Sequence, residues 1–90
     1  MSKLILAIIF HVDAVDPLLQ ALLASDYSVT KISSVGGFLR RQNTTFVIGV
    51  EDERLAGAMT IIREVCTPYS RPEGHAVTIF VINVAEFARA

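Results

Sequence analysis

An α+β fold is what the hydropathy pattern of this chain predicts. Three runs rich in β-branched and apolar residues, and a fourth of mixed polarity, are interleaved with two stretches of helical spacing. Turn-forming residues separate them in the order strand, helix, strand, strand, helix, strand.

Each element has its own signal. Lys3 to His11 is a continuous apolar run, the pattern of a central strand covered on at least one face. Asp16 followed by Pro17 predicts an N-cap and a first-turn proline, and "LLQALLAS" then sets Leu18, Leu19, Leu22 and Leu23 on one helical face that ends near Asp26. Tyr27 to Val35 reads as a second strand and Thr44 to Val50 as a third. A second helix opens at Glu51 and Asp52, acids suited to the positive end of the helix dipole, and its apolar stripe is Leu55, Ala58, Met59, Ile62, Val65 and Cys66. Pro68, Pro72 and Gly74 bracket the short loop "TPYSRPEGH". Ala76 to Val84 is the fourth strand, and "AEFARA" a short terminal helical turn. With right-handed crossovers this order gives a ferredoxin-like β-α-β-β-α-β domain over residues 1–90, a four-stranded antiparallel sheet with both helices on one face.

Composition narrows the function classes. Of the 90 residues, 52% are hydrophobic, and the mean hydropathy is +0.51. That is more apolar surface than a small lone domain readily hides, so part of it is expected in a subunit interface covering the helix-free face of the sheet. The net charge of -1 and the lack of a basic run argue against a nucleic-acid duplex as partner. The single cysteine, Cys66, excludes an internal disulfide and fits a reducing compartment, and its place on the apolar helix stripe suits a buried, inert thiol. Leu4 to Phe10 is too short to span a bilayer and meets His11, Val12 and Asp13 rather than a signal-peptide cleavage site, so a cytoplasmic chain is expected. His11 and His75 fall in different segments without metal-ligand spacing, no serine or cysteine lies in a nucleophile motif, and no enzymatic activity, metal or cofactor is expected.

The stretch "SSVGGFLRRQNTTF", Ser33 to Phe46, carries the chemistry. Gly36-Gly37 matches neither a Walker loop nor a dinucleotide fingerprint, and a double glycine between strands commonly serves a turn with positive φ. Its neighbours suggest more. The backbone amides of a glycine-rich bend form an anion-binding concavity, Phe38 offers a stacking face, and Asn43 offers the paired donor and acceptor that read an adenine edge. Arg40 and Arg41 supply charge for phosphates, or else are simply a solvated surface, and Thr30 adds a hydroxyl. Together these groups suit a ligand with phosphates and a base.

"TKISSVGGFLRRQNTTFVIGVEDERL", Thr30 to Leu55, resembles the PII-like cyclic di-AMP receptor proteins of bacteria, whose signature is close to T-K-L-x-x-T-G-G-F-L-x-x-G-N-T-T-F-x-x-G-V-x-D-x-x-V. The apolar first strand, the first helix and the closing "TIFVINVAEF" align as well. The resemblance implies a non-enzymatic homotrimer that binds cyclic di-AMP in clefts between subunits and passes the signal to a downstream protein through loop rearrangement. It implies ligand contacts from Thr30, Gly37, Phe38, Leu39, Asn43 and Gly49, with Phe80 near the same cleft; Gly36, Arg40 and Arg41 complete the candidate set. A sensor of another adenine nucleotide such as ATP or ADP, and a ligand-independent trimeric interaction module, are the alternatives. The chain departs from the pattern at Ser28, where a basic residue is common, at Gln42 in place of glycine, at Arg89 in place of glutamine, and in the shortness of the loop from Thr67 to His75.

Overall fold

A computed structural model describes residues 2–34, 43–72 and 74–85. The elements follow the expected order: β1 (Ser2–Ile9), α1 (Val12–Ala24), β2 (Val29–Ser34), β3 (Asn43–Glu51), α2 (Asp52–Cys66) and β4 (Val77–Val84), with a 3-10 turn at Thr67–Tyr69. The strands form one sheet in the order β2-β3-β1-β4, every neighbouring pair antiparallel. This is the strand order of a ferredoxin-like arrangement. Glu86 to Ala90, where a terminal helical turn was expected, lie outside the described residues.

Register assigns each strand residue to a face, because directly opposed residues share a side of the sheet. Ile5 opposes Ile48 and Val81, and Ala7 opposes Phe46 and Ile79. Ile5, Ala7, Ile9, Phe46, Ile48 and Val50 are buried in one cluster with Ala14, Val15, Leu18 and Leu22 of α1 and with Ala58, Ile62 and Cys66 of α2. Both helices therefore cover the same face, as the alternation in β3 and the helical stripes predict. Leu55 and Val65 pack against this core from its margin, and Met59 is half-buried.

The start of α1 departs from the expectation. Asp16 and Pro17 lie inside the helix, and the cap is His11, whose Nδ1 accepts from the Asp13 N–H at 3.3 Å. The Asp-Pro pair is a strong local signal, but the β1–β4 ladder leaves little slack: the Phe10 N–H still donates to the Ala76 carbonyl at 2.8 Å, so the chain must turn at His11. Pro17 stands in the second turn at an exposed position, where its missing N–H costs one intrahelical bond.

α1 closes with a Schellman motif. The Tyr27 N–H donates to the Leu22 carbonyl and the Asp26 N–H to that of Leu23, both at 3.0 Å, and Asp26 takes φ 63°. Aspartate tolerates that left-handed conformation better than most residues with a β-carbon. Arg54, from the first turn of α2, donates to the Ser25 and Asp26 carbonyls and sets its guanidinium 4.1 Å from the centre of the Tyr27 ring. Carbonyls left over at one helix end are thus satisfied by the other helix.

Candidate ligand-binding face

The helix-free face of the sheet is mostly apolar. By register it carries Leu4, Leu6 and Ile8 of β1, Thr30 and Ile32 of β2, Thr45, Val47 and Gly49 of β3, and Thr78, Phe80, Ile82 and Val84 of β4. Phe80 is 51% exposed, Ile32 48% and Ile82 44%, a contiguous apolar surface of the kind that marks an interaction site. The one charged residue at these register positions is Glu51, at the end of β3, where it accepts from the Ser2 hydroxyl at 3.1 Å. These register positions therefore offer no cation to a phosphate. That charge has to come from a loop or a neighbouring molecule.

Four of the expected site residues fall on this face, and they do not converge. Phe80, Leu6, Val47 and Thr30 form a single cross-strand row, which places Phe80 and Thr30 roughly 14 Å apart at three strand spacings. Gly49 lies diagonally beside Thr30, roughly 7–8 Å away. Asn43 opens β3 opposite Ser34, six residues from Gly49 and so roughly 20 Å from it. One end of the sheet thus holds Thr30 with Gly49, the other end Asn43, and the far edge Phe80. Gly36, Gly37, Phe38, Leu39, Arg40 and Arg41 lie outside the described residues.

Two of the four stand out in their local surroundings. Asn43 is 7% exposed, and its buried side-chain oxygen has no hydrogen-bond partner among the described residues. Such an acceptor costs free energy until a donor reaches it. At Gly49 a β-carbon would meet nothing within 4 Å, so this glycine leaves an open notch in the apolar face rather than relieving an internal clash. Continuing the β2–β3 register one step past Val29 and Ile48 sets Ser28 opposite that notch. Leu6 and Val47, which fill the row between Phe80 and Thr30, were not singled out from the sequence. The unbroken apolar run of β1 hides which of its residues face the helices.

Elsewhere the chemistry is quiet. Among the described residues no group of His, Cys, Asp and Glu is placed to hold a metal, and no helix is long and apolar enough to cross a membrane. Burial pushes the Cys66 thiol above its ordinary range and favours the protonated form, as an inert core residue requires. His11 serves α1 as a cap, and its ring lies 5.1 Å from that of Tyr69.

Fold and face together define a small α+β binding protein with a mostly apolar ligand or partner surface and, among the described residues, an unpaired acceptor at its rim. The chain matches the cyclic-di-AMP receptor family over residues 2–73 and belongs to that family, which is one of ligand-binding signalling proteins. The described architecture is also similar to the crystal structure of a functionally unknown protein from Pediococcus pentosaceus ATCC 25745. That protein is 30% identical, with a TM-score of 0.80 over 99% of this chain and 97% of the other.

Proposed function

We propose that the chain is a non-enzymatic sensor that binds cyclic di-AMP in clefts between the subunits of a homotrimer. The observation that carries the reading is the Asn43 side chain, whose buried oxygen has no partner among the described residues. The 6-amino group of adenine is a donor that can meet it. The spread of the site residues favours a composite cleft. Thr30 and Gly49 of one subunit and Asn43 of the next can approach a single ligand, while roughly 20 Å separates Gly49 from Asn43 within a chain. Assembly also covers the exposed Phe80, Ile82 and Ile32. In this reading Gly36 and Gly37 give the phosphates access to backbone amides, Phe38 and Leu39 pack on the bases, and Arg40 and Arg41 supply positive charge that the helix-free face lacks.

Calorimetric titration with cyclic di-AMP, beside ATP, AMP and cyclic di-GMP in the same salt, tests the proposal. Saturable, near-equimolar binding of cyclic di-AMP alone is expected. Preference for ATP would move the protein to the sensors of another adenine nucleotide, and silence toward all four would favour a ligand-independent interaction module.

A further inference from the structure

The connection between α2 and β4 is tied down on every side. The Thr67 hydroxyl donates to the Arg63 carbonyl, and the Ser70 N–H donates to the Thr67 carbonyl at 3.0 Å. Arg71 and Gly74 exchange two backbone bonds of 2.9 and 3.1 Å. The Ala76 N–H donates to the Ser70 hydroxyl at 3.1 Å, while the Ala76 carbonyl accepts from Phe10 at 2.8 Å, one step beyond the β1–β4 ladder. The ring of Tyr69 meets that of His11, the residue that caps α1. One short segment thus joins the end of α2, the end of β1, the start of α1 and the start of β4.

We propose that the described residues of this connection, 67–72 and 74–76, form a fixed strut, ordered in the free protein and unchanged when the candidate face is occupied; the second clause rests on the ligand reading above. Displacing the segment requires several bonds to open together, because the partners of Ala76 lie on both Ser70 and Phe10 and those of Arg71 and Gly74 on each other. Segments linked in this way open as a unit. Ligand state is therefore reported elsewhere on the chain, and the strut holds the ends of four elements together.

Residue-resolved amide hydrogen exchange tests this. In the free protein, the amides of Arg71, Gly74 and Ala76 should exchange at least about tenfold more slowly than in an unstructured peptide. Ser70→Ala should speed exchange at Ala76 by up to about tenfold, the loss of a single hydrogen bond. Free exchange at all three amides in the unliganded protein would overturn the strut. Adding cyclic di-AMP should leave the three rates unchanged, and a change of about tenfold on saturation would overturn the claim that the segment does not report. If calorimetry shows no uptake of cyclic di-AMP, the ligand reading falls with the clause built on it, whereas the free-protein rates still decide the strut.

Discussion

The Tyr27 hydroxyl occupies the space that a side chain at Gly57 would need: a β-carbon there would lie 2.6 Å from the Tyr27 oxygen. That hydroxyl donates to the Arg54 carbonyl of α2 at 2.9 Å, so the glycine opens a slot in one helix for the residue that follows the other. Gly57→Ala, which in an ordinary helix adds up to about 1 kcal/mol of stability, is expected here to destabilise the fold by about 1–2 kcal/mol. Tyr27→Phe alone should cost about 1 kcal/mol through the lost hydrogen bond, yet partly rescue Gly57→Ala by removing the clashing oxygen. Urea midpoints of the two single variants and the double variant measure the coupling, and strict additivity would contradict the contact.

Asn43 should trade stability for binding. Asn43→Leu removes a buried acceptor without a partner and is expected to hold or raise the stability of the free protein by up to about 1 kcal/mol. Affinity for cyclic di-AMP should fall at least about tenfold. Thermal melts alongside calorimetry separate the two effects, and unchanged affinity would remove Asn43 from the site.

Gly49 and Phe80 should respond in the same divided way. Gly49→Ala fills open space, so the fold should be as stable or up to about 1 kcal/mol more so, while the approach of ligand to the notch is hindered. Phe80→Ala changes a half-exposed side chain, and a stacking role predicts a loss of about 1–3 kcal/mol in ligand binding. Equal losses in fold stability and affinity would instead mark both residues as structural.

A charge placed on the open face should break assembly. Ile82→Glu is expected to shift a trimer to monomer in light scattering at micromolar concentration, since an interface core does not readily hold an unpaired carboxylate. A parent protein that is already monomeric at that concentration would contradict the trimer proposal.

Cys66 gives the fold an alkaline limit. Its folded-state pKa is raised by burial, so the unfolded chain loses its thiol proton first as the pH climbs. The thiol's contribution is full below the unfolded value and declines as the pH rises from there through the folded one. Urea midpoints of the wild type should fall above about pH 9, and in Cys66→Ala this part of the fall should be absent.

The fold was largely legible in the sequence because its signals are local and periodic. Phe46, Ile48 and Val50 alternate, Ala58, Ile62 and Cys66 recur at helical spacing, and these patterns place the helices on one face. The start of α1 was misread because Asp16-Pro17 is a local signal, while the turn at His11 is fixed by Ala76 from the other end of the chain. The end of α1 was placed well, though its left-handed residue is Asp26 where glycine is usual, and the slot at Gly57 depends on Tyr27, thirty positions away by residue number. The site residues were named from a motif and its family likeness. Their division between the two ends of β3 follows from register alone, which no motif states.

The place of β1 between β3 and β4 bears on how the chain acquires its structure during synthesis. β1 is made before either of its partners: Ser2 opposes Glu51 of β3 on one side and Val84 of β4 on the other. Leu4 to Ile9 therefore wait as an apolar segment while α1 and β2 are made. Such non-local closure slows folding and exposes the nascent strand to aggregation. Cooperative structure is then gained late, when β4 completes the sheet, and chaperone dependence should be greatest for nascent chains stalled before that strand.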